Sequence, residues 1–517
     1  MDILEYTNTR TLLHCLTECE KIDQLQIFEN QQPQQPVGLS MTWLQDKRVN
    51  KMEKILFDTH HKALTLNKDR RAYGTIAEIG AGQETARWFF KVGSAAGSIA
   101  KTMSAYDMQF SDSIYGSCDR YVSRERLHSM LETEYNLLSQ RLDEKRCAES
   151  VFFVFANTVA TFNYSSNQAG HGWLGIQFQT QPHETVSEIH LHVVLKGRTS
   201  MRDQETLGIL GVNLIYGAYY QHQEPVELLR SLMDGLSSDQ LEIDMVDFSG
   251  TAFDSVDNRI MALQLVQHGL THVTMFQPDG KLVQPAEILF KKAVLVERSR
   301  FCPPTKLTIN LLDSACEAFC SESNVDSDDV IVFSEMTLHN LRDGDDINIE
   351  DFLQRVDILS ALGKNVMISN FAEYYRLAQF LFKQTSKPVA LAMGIPSLQE
   401  IFKEKYYERL DGGILESFGL LFRNDMRLYV CPTLEEDGSL LTVDKLKVEH
   451  HLQYLYRHLL QNGFLHNLDT VDRNYLTIDA NIVLGQIRCG DDTWQSLVPP
   501  AVIDIIKRKA LFQRDGT

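Results

Sequence analysis

No CxxC pair, no run approaching the ~18 apolar residues of a membrane helix, and no excess of basic side chains occurs in this sequence. Each absence excludes a class. Without CxxC there is no zinc ribbon and no thioredoxin-type redox motif. The nine cysteines, an odd number, are scattered at 15, 19, 118, 147, 302, 316, 320, 431 and 489. They are expected to be small buried hydrophobes in a reducing compartment. The most apolar segment, Leu207–Tyr220 (LGILGVNLIYGAYY), is too short and glycine-rich to span a bilayer and reads as buried. The opening MDILEYTNTRTLLHCLTE carries charges where a signal peptide needs an apolar stretch, so a cytoplasmic location is expected. Fifty Lys and Arg against 69 Asp and Glu leave a net charge of −19. A surface that acidic repels phosphate backbones and anionic lipid, which argues against nucleic acid as the main partner. It leaves room for a local basic pocket holding one phosphorylated metabolite.

What is present is ordinary globular composition over 517 residues, enough for two to four domains at roughly 150 residues each. The expected fold class is α/β: a mixed sheet in the N-terminal half, a mainly parallel βα-repeat sheet in the C-terminal half, and a helical tail. Residues 1–40 read as a helical appendage ending in the polar linker ENQQPQQPVGLS. Residues 41–300 form an α/β domain with a glycine-rich turn, beginning with an amphipathic helix over 41–66. Within it, VFFVFANTVATF, WLGIQFQT and EIHLHVVL lack helical connectors and are expected to pair antiparallel. LEIDMVDF, a helix at 257–268 and HVTMF read as a β–α–β unit. FCPPTK (301–306) marks a boundary. Residues 301–440 then alternate VIVFSE, helix 348–362, NVMISN, helix 371–385, PVALAMG, helix 397–407 and MRLYVCP, with Asn348 as N-cap and Gly363 as C-terminal cap. Residues 441–517 are mainly helical, with histidines 450, 451, 458 and 466 expected on a solvated helix face.

Three constellations could carry chemistry. Glu78-Ile-Gly80-Ala-Gly82-Gln-Glu84 lies between a strand and a helix, where glycines let backbone amides approach an anion. It resembles the first motif of S-adenosylmethionine methyltransferases, but Glu84 stands at that family's third glycine, and Thr85 breaks GxGxxG. Downstream, Gly93, Gly97, Lys101 and Asp107 follow a second small-residue turn, with Arg71 and Arg120 near in sequence. The P-loop spacing is not met, and solvated charges flanking a sheet are the plain alternative. The second constellation is acidic: Asp244, Asp247 and Asp257, candidates to hold Mg²⁺ if they converge beyond a strand end. Strand alternation puts Glu242 and Asp244 on one face. N-capping and a polar sheet edge are the competing explanation. Third, Glu335 and Asn370 end apolar strands, as does Gly394, which is how α/β folds build pockets. DGDDINIE misplaces the ligands of a calcium loop, and GxSxG and HExxH are absent.

The stretch YGTIAEIGAGQETARWFFKVGSAAGSIAKTMSAYDMQFSD, with RYVSRERL, GILGVNLIYGAYY and VDNRIMAL, resembles a family of large bacterial proteins carried under two conflicting labels. These are nicotinate-nucleotide adenylyltransferase and TonB-dependent receptor. The first implies an HxGH-type phosphate motif near an N-terminal strand, and the second a signal peptide and an outer-membrane barrel. The sequence carries none of these, so the resemblance transfers no catalytic residue. The expectation is an α/β protein binding or acting on a nucleotide-like or phosphorylated small molecule, with a nucleotide or Mg²⁺ as possible cofactor. A non-enzymatic scaffold and a divergent methyltransferase remain the alternatives.

Overall fold

A computed structural model describes residues 58–512, apart from 147–148, 164–168 and 344–345. The helix expected at 1–28 and the linker at 29–40 lie outside the described residues. The helix expected over 41–66 enters them as Thr59–Lys68.

The first sheet has strands β1 (Ala72–Ile79), β2 (Ile99–Met103), β3 (Val151–Ala160), β4 (His171–Phe178), β5 (Ser187–Leu195) and β6 (Leu241–Ser249), in the order β2-β1-β3-β4-β5-β6. β1 runs parallel to β2 and β3, and β3 to β6 are antiparallel neighbours, as the three connector-poor runs imply. On one face, helices Thr59–Lys68, Glu84–Val92 and Ser200–Tyr220 bury Leu66, Phe89, Leu210 and Leu214 against Ile76, Phe153, Phe155 and Leu191. On the other, helix Arg124–Arg146 sets Leu127, Met130 and Leu131 against Val154, Ala156 and Trp173. The segment LGILGVNLIYGAYY is therefore a buried helix. Its glycines set the approach to its neighbour: a Cβ on Gly208 would lie 2.8 Å from Glu84 Cβ, and one on Gly211 2.3 Å from Thr85 Oγ1.

Between β5 and β6, His192 pairs with Met245 but Val193 pairs with Ile243, so Asp244 is the extra residue of a β-bulge. The bulge returns Val246 and Phe248 to the core that holds Leu241 and Ile243. The simple alternation expected for Glu242 and Asp244 ends there.

The second sheet comprises β7 (Val273–Phe276), β8 (Leu282–Val283), β9 (Ala293–Arg298), β10 (Val330–Thr337), β11 (Asn365–Ser369), β12 (Val389–Gly394), β13 (Arg427–Cys431) and β14 (Leu465–Asn467). Its order is β14-β13-β12-β9-β10-β11-β7-β8. Strands β9 to β14 are parallel, and β7 and β8 add an antiparallel edge. Helix Lys306–Cys320 covers one face through Leu312, Ala315 and Phe319 over Ala293, Leu295 and Ala392. Leu377, Leu398 and Phe418 cover the other over Val294, Val296 and Leu391. Burial on both faces is why these strands read as continuous apolar runs. Asn348 accepts from the Asp351 amide at the start of helix Ile349–Ala361, and Gly363, at φ 67°, follows that helix's end.

Several expectations are corrected. β6 and β7 are separated by helix Asn258–Gln267 as expected, but they lie in different sheets. β7, β8 and β9 precede residue 301 yet belong to the second sheet, so FCPPTK is the loop from β9 to helix Lys306–Cys320. Local pattern identifies strands; it does not say which sheet they join. The tail is helical over Gln453–Gln461, Ala480–Cys489 and Pro500–Lys509, but His466 sits on β14, apart from the helix carrying His458. All six described cysteines are free thiols; Cys431 is buried, Cys489 is exposed and the other four are half-buried. Among the described residues, no helix is long and apolar enough to cross a membrane.

Candidate binding crevice

The glycine turn at 80–84 adopts the backbone its sequence demands. Gly80 and Gly82 have φ of 83° and 71°, and a Cβ on Gly80 would stand 1.8 Å from the Val159 carbonyl oxygen. Its anion-binding capacity, however, is used internally. Buried Glu78 accepts from the amides of Thr85 (3.2 Å) and Ala86 (3.1 Å) and from Asn157 Nδ2 (3.1 Å). Burial holds its carboxyl above the ordinary glutamate range, and these donors oppose that shift. The Gly82 amide donates to the Tyr106 hydroxyl at 2.7 Å. The chain thus supplies the carboxylate that a phosphate would replace at this helix N-terminus.

The residues expected to assist the turn are dispersed. Glu84 pairs with Arg87 at 3.0 Å. Gly93 follows the far end of helix Glu84–Val92, and Gly97 lies in the short turn before β2. Lys101 pairs with Thr75 midway along the edge strand β2, and its ammonium is bound to Glu134, which also accepts from the Tyr115 hydroxyl at 2.9 Å. Asp107 caps helix Met108–Tyr115 through the Phe110 amide.

The three aspartates are each engaged separately. Asp244 accepts from Gln284 Nε2 at 3.2 Å and faces His192 Nδ1 at 2.6 Å. Asp247 binds Arg124 and Asn258. Asp257 caps helix Asn258–Gln267 and pairs with Arg259 at 2.6 Å, which holds its carboxyl below the usual range against the opposing effect of burial. They are not among the described donor groups that converge closely enough for one ion.

The C-terminal ends of the parallel strands are different. From β9 the chain adds β10 and β11 on one side, then crosses to place β12, β13 and β14 on the other. Such a reversal leaves a crevice between the two strands where it happens, here β9 and β12. A cavity of about 370 Å³ lies there, lined by residues that include Arg298, His339, Tyr374, Ser397, Tyr406 and Tyr407. Arg298, which lines it, is held by a buried ion pair. Arg298 donates through Nε (2.9 Å) and Nη2 (3.0 Å) to the two oxygens of fully buried Glu335, and through Nη1 to the Ala372 carbonyl. Ser369 Oγ donates to Glu335 at 2.6 Å, and the guanidinium lies 4.4 Å from the Tyr374 ring centre. Burial raises the Tyr374 phenol and pushes Tyr407 up to about 12, so both remain protonated donors at neutral pH.

Glu335 does not line the cavity itself; it holds Arg298, which does. Asn370 does not line the cavity; it is tied to His272, 3.1 Å from its Nδ1, at the β7 side of the sheet. Sequence reasoning missed Arg298 although AVLVER ends on polar residues just as VIVFSE does. It also missed the face of β5 carrying Glu188, His190 and His192, where EIHLHVVL places two histidines at period two. His192 there stands between Asp244 and His171, whose Nδ1 is 3.4 Å from His192 Nε2; burial, with His192 next, lowers the His171 pKa.

The fold and crevice define a doubly wound α/β protein with an added mixed sheet. No protein-family profile and no curated protein matches the chain. Solved structures give partial overlaps. The competence/damage-inducible protein CihA from Agrobacterium tumefaciens is 13% identical, with a TM-score of 0.23 over 31% of this chain and 94% of that one. A CinA superfamily protein from Enterobacter cloacae is 11% identical, at 0.24 over 35% and 99%. One from Escherichia coli is 16% identical, at 0.21 over 34% and 94%. Overlaps of that size assign neither family nor activity.

Proposed function

We propose that this chain binds a small, ring-bearing polar molecule of the nucleoside class in the crevice between β9 and β12. The observation that carries this reading is the cavity itself: about 370 Å³ at the reversal of strand order, with Tyr374, Tyr406 and Tyr407 beside hydroxyl and imidazole groups. Aromatic walls with a few fixed polar groups suit a planar heterocycle and its hydroxylated substituent. The charge of Arg298 is committed to Glu335, and Glu373 and Glu400 also line the cavity. A neutral nucleoside is thus favoured over its phosphorylated form, which narrows the expectation from sequence.

Calorimetric titration of the full chain with nucleosides and their monophosphates tests this. The expected result is binding of at least one nucleoside, no weaker than its monophosphate, with affinity reduced roughly tenfold or more in Tyr406→Ala. Tyr406 is exposed, so this variant should fold normally. No binding at millimolar nucleoside, or undiminished binding by Tyr406→Ala, would overturn the reading and leave the scaffold alternative in its place.

A further inference from the structure

We infer that the first sheet carries a site for a divalent transition-metal ion of the Zn²⁺ class, formed by His128, Glu188 and His190. Glu188 and His190 lie two residues apart on β5, and His128 comes from helix Arg124–Arg146. One ligand atom from each falls within 4.8 Å of the others. His190 Nε2 and Glu188 Oε2 are 3.0 Å apart, close to the ~3.3 Å separating two ligands of one tetrahedral ion at bond lengths of about 2.0–2.1 Å.

Independent features indicate a prepared site. His190 is buried, its side chain 7% exposed, yet Nε2 makes no hydrogen bond of acceptable geometry. Glu188 Oε2 approaches it at 3.0 Å but off the line of a good hydrogen bond, and an ion between the two atoms would satisfy both. The opposite residue on β4 is Gly175, where a Cβ would come within 3.0 Å of His190 Cδ2 and of Leu127 and Leu131. Glycine there makes room for the ring beneath the helix. The next inward-facing residue of β4, buried Gln177, donates to Glu188 Oε1 at 2.6 Å and leaves Oε2 facing His190. That is how an outer partner orients a ligating carboxylate. One helical turn before His128, Arg124 binds Asp247 on β6 and fixes the helix over this edge of the sheet. Asp247 is itself the cross-strand partner of His190.

Two imidazoles and one carboxylate select a borderline metal over Mg²⁺ or Ca²⁺. Three protein ligands leave a coordination position for water or a small anion, as in exchangeable rather than closed structural sites. His128 is exposed, so an ion reaches the site from solvent.

The test uses the full chain, stripped with chelator and titrated with Zn²⁺, with Co²⁺ absorption reporting imidazole coordination. Wild-type protein is expected to take one tight equivalent. His128→Gln and Glu188→Gln should each weaken it roughly tenfold or more and abolish the Co²⁺ spectrum. His128→Gln alters an exposed side chain and Glu188→Gln is nearly isosteric, so melting curves will show both folded. His451→Gln controls for the exposed group Glu404, Glu449 and His451 and should leave the equivalent intact. Absence of tight binding in the wild type would overturn the inference. So would its survival in His128→Gln, or its loss in His451→Gln alone.

Discussion

At the residue scale, Glu297 shows how burial sets chemistry. It precedes Arg298, the last residue of β9, and faces the opposite side of the sheet, fully buried, with Oε2 lacking a hydrogen-bond partner. Desolvation pushes its carboxyl up to about 8; the charge of Lys364 opposes this and Asp313 adds to it. The folded protein therefore holds a proton that the unfolded chain releases near the ordinary glutamate value. The stability this group contributes is complete below that value and is lost as pH rises towards 8. Glu297→Gln should flatten that decline and make the variant more stable than wild type at pH 8, with the gap closing towards pH 5. Urea denaturation at a series of pH values measures this; parallel profiles would show that Glu297 titrates normally.

At the scale of elements, the start of helix Glu84–Val92 is capped from within. Gln83, at the N-cap position, makes no side-chain cap bond, and Glu78 reaches from the end of β1 to take two of the first amides. Glu78→Ala would leave those amides and Asn157 Nδ2 without this acceptor. A loss of about 1–3 kcal/mol is expected in thermal or chemical melts. An unchanged melt would mean that water serves these amides equally well. This exchange also explains where sequence reading stopped. The strand, the positive-φ glycines and the helix at 72–92 were all legible, because each rests on local sterics. That Glu78 would turn inward and fill the turn was not legible, since an acidic residue before a glycine turn reads identically whether it faces a ligand or an amide. The β6 bulge is similar: LEIDMVDF fits an unbroken alternation, and only the pairing with β5 shows that Asp244 leaves it. The crevice depends on strand order, which no local pattern encodes, so Arg298 stayed unnoticed while Glu335 drew attention.

At the scale of the whole molecule, residue 301 is no place to divide the chain. β9 is an interior strand of the second sheet, hydrogen-bonded to β10 and to β12. Fragment 301–512 should fail to unfold cooperatively when expressed alone, because it lacks the strand that joins the two halves of its sheet. A sharp calorimetric transition for 301–512 alone would contradict this. The position of β9 also sets a timetable. Val294 meets Ile331 soon after synthesis, but its other neighbour, Val389, is made much later. Until β12 has left the ribosome, one side of β9 offers an open row of amides and carbonyls between apolar faces, the kind of edge that recruits foreign strands. The same late arrival that leaves this edge bare also creates the crevice, so the protein acquires its candidate binding site only when this open edge is covered.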